Sequence, residues 1–148
     1  MLFRSPLREA AKVRPVADTP HELSEEHALM EKRKIGALGE DTAVEYLRTN
    51  GYTILERNFS YRFGEADIIA EGGGCLVFAE VKLRKDRRFA EAREFVDRKK
   101  QEKIIKTAKY YLMKHETDLP VRFDVIEVYG APASGKKPQI GHIENAFE

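Results

Sequence analysis

Asp67, Glu80 and Lys82 place two carboxylates and an amine inside a segment patterned as a β-hairpin. Gly72-Gly73-Gly74 separates two strand-like runs, Glu65 to Glu71 and Cys75 to Arg84. Glycine accepts the positive φ that tight hairpin turns need. With Gly73-Gly74 as a two-residue turn, cross-strand partners sum to 147 and Asp67 falls opposite Glu80. Directly opposed residues have Cβ atoms about 4.5–5.5 Å apart, and like charges there repel. A divalent cation between them turns that repulsion into binding, because hard cations take carboxylate oxygens. Alternation puts Lys82 on the face of Leu76, Phe78 and Glu80, while Cys75, Val77, Ala79 and Val81 form a wholly apolar face. An ammonium there could orient or help deprotonate a water whose pKa the cation lowers, while the cation screens a phosphate's negative charge. The chemistry that suits this trio is metal-assisted phosphodiester hydrolysis.

The structural alternative is a solvated ion-pair cluster at a sheet edge. Against it, Glu80 follows the apolar run Leu76 to Ala79, the pattern of a central strand, where unpaired charge is costly. A third carboxylate points the same way. Ser24 is a plausible N-cap for a helix reaching about Asn50, with Gly51 as its stop. Within it Glu40, Ala43, Val44 and Leu47 share a core-facing stripe, with Gly36 and Ala37 on the same side.

The remaining elements follow from periodicity and turn residues. Tyr52 to Tyr61 reads as a strand ahead of the hairpin. Asp97 caps a second helix to about Glu116 whose core face is Ile104, Ile105, Ala108, Tyr111 and Leu112. Val121 to Tyr129 is a fourth strand, and Gln139 to Asn145 adds a short last one. Residues 1–23, with Pro6, Pro15 and Pro20 and no sustained periodicity, read as a flexible extension with a short helix near Leu7 to Val13. Residues 24–148 read as one domain, and a chain of 148 residues is too short for two ordinary ones.

Composition narrows the classes. Cys75 is the only cysteine, which excludes internal disulfides and a thiolate zinc cluster. No apolar run is long enough to span a membrane, and the N-terminus lacks the apolar core of a secretion signal, so the expected compartment is the cytoplasm. The net charge is +1, but Lys82 to Lys114 holds 13 Lys/Arg against 5 Asp/Glu. Such segregation builds either a basic face for a polyanion or an ordinary solvated helix.

Several ordered blocks resemble a known family. Gly36-Ala37-Leu38-Gly39-Glu40, Arg62-Phe63-Gly64-Glu65-Ala66-Asp67-Ile68-Ile69-Ala70 and Leu76-Val77-Phe78-Ala79-Glu80-Val81-Lys82 look like its signature. So do Lys100-Gln101, Arg122-Phe123-Asp124-Val125 and His142-Ile143-Glu144-Asn145-Ala146-Phe147. They resemble the YraN-type family of the PD-(D/E)XK nuclease superfamily, itself similar to archaeal Holliday-junction resolvases. The resemblance runs from about residue 33 to the C-terminus. It implies an α/β restriction-endonuclease-like core, a central mixed sheet flanked by helices in the order α-β-β-β-α-β-β. It further implies Asp67 and Glu80 as Mg²⁺ ligands, with Mn²⁺ as a substitute, Glu40 completing the site, and Lys82 positioning water. The implied substrate is DNA, branched or recombining. A homodimer stays open, since cutting two strands symmetrically favours a two-fold axis.

Other residues carry two readings each. Lys100 and Gln101 lie on the inward face of the second helix, where Lys100 either reaches a phosphate or snorkels to solvent. Arg62, Arg84, Arg87 and Arg88 flank the hairpin and could contact backbone phosphates. Gly130 to Lys137 nearly spells a phosphate-binding loop but lacks the final Ser/Thr and runs into Pro138. His21, His27, His115 and His142 form no zinc pattern. The expected activity is endonucleolytic. A non-catalytic nucleic-acid-binding module with the same fold is the alternative, and an adaptor with a structural acid cluster a third.

Overall fold

The triple-glycine hairpin is built as expected in a computed structural model describing residues 20–84, 96–130 and 137–148, with side chains from residue 24 onward. Gly73 and Gly74 take φ of 60° and 76° between β2 (Gly64–Gly72) and β3 (Cys75–Arg84). The strands pair antiparallel from Gly72 with Cys75 to Ile68 with Ala79, the register the two-residue turn predicts. β1 (Thr53–Tyr61) lies antiparallel on the far side of β2. β4 (Val121–Tyr129) runs parallel to β3, and β5 (Gln139–Phe147) antiparallel to β4. The sheet is therefore mixed, ordered β1-β2-β3-β4-β5, with β3 at its centre.

The chain divides into two compact units, Met1–Lys34 and Ile35–Glu148. The expected short helix near Leu7 to Val13 lies outside the described residues. In the first unit, the described side chains from Ser24 to Lys34 are exposed. Helix α1 (Pro20–Thr49) starts ahead of the expected Ser24. Proline is tolerated in a first turn because its missing N–H would be unpaired there anyway. Gly51 ends the helix with φ 88°, and the N–H groups of Gly51 and Tyr52 donate to Arg48 O and Leu47 O. That is a glycine-dependent C-terminal cap, which satisfies two otherwise orphaned carbonyls.

In the second unit each face of the sheet has its own core, as strand alternation requires. Val77 and Ala79 pack with Ile68, Ile126, Val128 and the α1 residues Ala43, Val44 and Leu47. Leu76 and Phe78 pack with Ile69, Val125 and the residues Ile104, Ala108 and Tyr111 of α2 (Arg98–Lys114). Asp97 caps α2, its Oδ1 accepting from Lys100 N at 2.9 Å. Among the described residues no helix is long and apolar enough to cross a membrane.

Candidate active site

Asp67 and Glu80 lie just beyond the last β2–β3 pair, Ile68 with Ala79, and their side chains meet in a hydrogen bond. Asp67 is half-buried, and its Oδ2 accepts the Val81 N–H at 2.9 Å. That bond fixes the carboxylate beside Glu80. Glu80 is only 6% exposed, because β3 has neighbours on both sides. Its carboxyl is pushed up from 4.5 to about 7, first by burial and then by the charge of Asp67, with a hydrogen bond between the two side chains adding to the effect. Lys100 and Lys82 pull the other way. Lys82 Nζ lies 4.0 Å and Lys100 Nζ 3.5 Å from Glu80 Oε2. Desolvation, a like charge and two cations thus meet at one carboxylate.

Two acidic side chains with hard oxygen donors are a set that can hold Mg²⁺ or Mn²⁺. Mg²⁺ typically takes one or two carboxylates and fills its remaining positions with water and substrate phosphate. Among the described residues no group of three or more His, Cys, Asp or Glu converges for an ion. The third expected carboxylate, Glu40, is on α1 and touches β1. Glu40 is half-buried on α1, the helix that covers the Val77 and Ala79 face, whereas Glu80 shares the face of Phe78. Glu40 Oε1 accepts from Asn58 Nδ2 at 3.0 Å, and next to it Asp41 pairs with Arg57 at 2.6 Å. These contacts tie α1 to β1.

The basic residues divide into several groups. Lys100 points at Glu80 from the first turn of α2. Gln101 donates from Nε2 to Val96 O at 2.8 Å, closing the entry to the helix. Arg62 is exposed at the β1–β2 turn, its guanidinium 5.2 Å above the Phe63 ring. Arg84 is drawn into an ion pair with Glu127 at 3.1 Å, and Glu127 also accepts from the Tyr129 hydroxyl at 2.8 Å. Arg87 and Arg88, and most of the near-phosphate-loop segment, lie outside the described residues.

One further group of residues was not among the candidate site residues. Asp124 is fully buried, and its carboxylate receives Arg122 through two hydrogen bonds, His142 at 2.7 Å and the Asn145 N–H at 3.0 Å. His142, which sequence left isolated, also meets the Tyr46 hydroxyl at 3.1 Å, and Arg122 donates to the Tyr52 hydroxyl at 2.7 Å. Despite burial, these hydrogen bonds hold the Asp124 carboxyl below its ordinary range. One clue existed: alternation puts Asp124 on the face of Ile126 and Val128, where a lone acid needs partners. Arg122 is two residues away on the same strand, whereas Tyr46 comes from α1, Tyr52 from the link into β1, and His142 and Asn145 from β5.

A five-stranded mixed sheet with a helix on each face, in the order α-β-β-β-α-β-β, defines an α/β protein of the restriction-endonuclease-like type. The sequence model of an uncharacterised protein family, UPF0102, matches residues 39–128. The chain belongs to UPF0102, the YraN-type family. A UPF0102 protein of Persephonella marina is 48% identical over 114 residues, covering 76% of this chain and 92% of that protein. One of Thermodesulfovibrio yellowstonii is 45% identical over 118 residues, covering 80% and 99%. Another, of Christiangramia forsetii, is 40% identical over 119 residues, covering 80% and 98%.

Proposed function

We propose that this protein is a divalent-metal-dependent endonuclease that hydrolyses phosphodiester bonds in DNA, with branched or recombining DNA as its substrate. The observation that carries this reading is Glu80, buried at the centre of the sheet against Asp67 and approached by two lysines. Burying two adjacent acids costs stability unless a cation is shared between them. An arrangement kept at such a cost is a functional candidate.

Asp67 and Glu80 would hold Mg²⁺, or Mn²⁺ in its place. When bound, the ion supplies positive charge beside the phosphoryl group and makes the attacking water more acidic. The Val81 N–H keeps Asp67 Oδ2 aimed at the site. Lys82, on the same strand face as Glu80, orients the water through its ammonium, and the water's proton leaves to solvent. The water oxygen bonds to phosphorus as the in-line ester oxygen departs with its electron pair and takes a proton from solvent. Lys100 offers an ammonium to a nonbridging phosphate oxygen from the first turn of α2. That turn carries Arg98, Lys99 and Lys100 and no acid, although the helix dipole disfavours cations there. An anionic ligand would offset the conflict.

The test is incubation of the full chain with linear, nicked and four-way-junction DNA in Mg²⁺ or Mn²⁺, beside Glu80→Ala. The expected result is cleavage by the parent and loss of it in the variant. Binding without cleavage of any of these DNAs in either metal would replace the enzyme with a nucleic-acid-binding module. Comparison of parent mass in analytical ultracentrifugation, with and without junction DNA, reads whether a homodimer is the working form.

A further inference from the structure

The turn between β1 and β2 exposes a phenylalanine. Phe63 is 62% exposed. Its position is set by its neighbours. Gly64 brings the turn against α2 so closely that an added Cβ would stand 2.6 Å from Thr107 Oγ1 and 3.0 Å from Lys103 O. Tyr61 then stacks on Tyr110 of α2, with ring centroids 4.4 Å apart and planes 13° from parallel. Phe63 meets Tyr61 edge-on at 6.0 Å and 80°. The ring is thus held by an aromatic ladder rooted on the helix, while most of its surface faces solvent.

A cavity of about 400 Å³ opens beside it, lined among others by Tyr61, Arg62, Phe63, Glu65, Lys100 and Lys103. That is within the size range of small-ligand sites, roughly 300–1,000 Å³. Three of these residues are cations that suit phosphates, and two are aromatic. Lys100 belongs to the cavity and to the acid pair alike, its Nζ 3.5 Å from Glu80 Oε2. The cavity and the candidate active site therefore share Lys100.

We propose that this cavity is a subsite for an unpaired nucleotide of the substrate strand, next to the phosphate that is cut. The base stacks on Phe63, and its flanking phosphates meet Arg62, Lys100 and Lys103. Glu65 offers an acceptor to an exocyclic amine at the rim. In a continuous duplex both faces of each base are covered by its neighbours, so an open aromatic ring finds a π-face only on a nucleotide that is out of the stack. Basic side chains interleaved with aromatic ones are the general recipe for holding a single strand. The subsite rests on the reading of Asp67 and Glu80 as a phosphodiester-cleaving site, and it selects the substrate class of that site.

The test uses the full chain with Ca²⁺ in place of Mg²⁺ to hold back cleavage, and labelled oligonucleotides followed by anisotropy. The probes are a blunt duplex, the same duplex with a one-nucleotide bulge, and the single strand, each as deoxy and ribo versions to separate DNA from RNA. The expected result is that bulged and single-stranded probes bind about tenfold tighter than blunt duplex. Phe63→Ala removes that preference and Phe63→Tyr retains it, with both variants melting like the parent because the ring is exposed. A 2-aminopurine in the bulge is quenched by the parent and by Phe63→Tyr, not by Phe63→Ala. Equal affinity for bulged and blunt probes, or a preference that survives Phe63→Ala, overturns the subsite. The cleavage reading then stands or falls separately, on whether the parent still cuts DNA in Mg²⁺. Absence of binding to every probe likewise overturns the subsite.

Discussion

The ammonium of Lys100, on α2, lies 3.5 Å from Glu80 Oε2, nearer than Lys82 Nζ at 4.0 Å on Glu80's own strand. The carboxylate is therefore flanked by a cation supplied locally and one supplied by tertiary packing. The two should fail differently. Lys82→Met is expected to lower the chemical step about a hundredfold, the scale of loss when a reacting group is misplaced. Lys100→Met should weaken substrate binding, raising the apparent Kd about tenfold, with a smaller effect at saturation. Single-turnover cleavage across a DNA concentration series separates the two. Equal losses in Kd and rate for both variants would contradict the division.

Glu80 makes stability depend on pH. Its folded carboxyl titrates near 7 against an ordinary 4.5, so between those values the folded chain binds a proton that the unfolded chain releases. The resulting stabilisation is fully present below the ordinary value and is lost as pH rises through about 7. The full shift corresponds to roughly 3 kcal/mol. The metal-free parent should melt at lower temperature at pH 8 than at pH 5.5, with a flatter profile for Glu80→Gln. The carboxyl of Asp124 is lowered, so its contribution is present above its ordinary value and is lost only as pH falls through the acid range. The two effects occupy different pH windows. Parallel profiles for parent and Glu80→Gln would contradict the assignment.

Metal and proton compete for the same carboxylate. Mg²⁺ or Mn²⁺ should raise the melting temperature of the parent, more at pH 8 than at pH 5.5. At a hundredfold excess over Kd the gain is about 2.7 kcal/mol, which amounts to several degrees. Asp67→Asn and Glu80→Gln should lose this response. Glu40→Gln decides whether the helix-borne acid takes part. A response retained in that variant assigns Glu40 to its contact with Asn58 alone.

Asp124 holds the sheet edge together through Arg122, His142 and the Asn145 N–H. Replacing it by alanine leaves the mostly buried Arg122 guanidinium without that carboxylate. Removing one partner of a buried pair costs about 3–5 kcal/mol. Urea unfolding of Asp124→Ala should show that loss, while the metal response of a still-folded sample persists, because Asp124 is on the opposite face from Glu80. A loss under about 1 kcal/mol would mean water replaces the network readily.

Much of the site was legible because its rules are local. The two positive-φ glycines set the hairpin register, and alternation then put Glu80 and Lys82 on one face, clear of Val77 and Ala79. The Asp97 cap and the Gly51 stop were readable for the same reason, since each satisfies backbone groups a few residues away. The contact of Glu40 was not. Its spacing shows a stripe on a helix, but the Asn58 amide it accepts from on β1 is set by how that helix packs.

By itself, then, the sequence determined the opposed acids, the lysine beside them and the order of elements, through strand period, turn chemistry and helix caps. Only the tertiary structure decided the rest. It brought Lys100 to Glu80, committed Arg84 to Glu127, and gathered Tyr46, Tyr52 and His142 around the Arg122–Asp124 pair. Those partners meet through the packing of separate elements, where side-chain volume and the need to satisfy buried charge select them. No periodicity along the chain records that selection. The hairpin brought Asp67 to Glu80, and the fold supplied the second cation beside that pair.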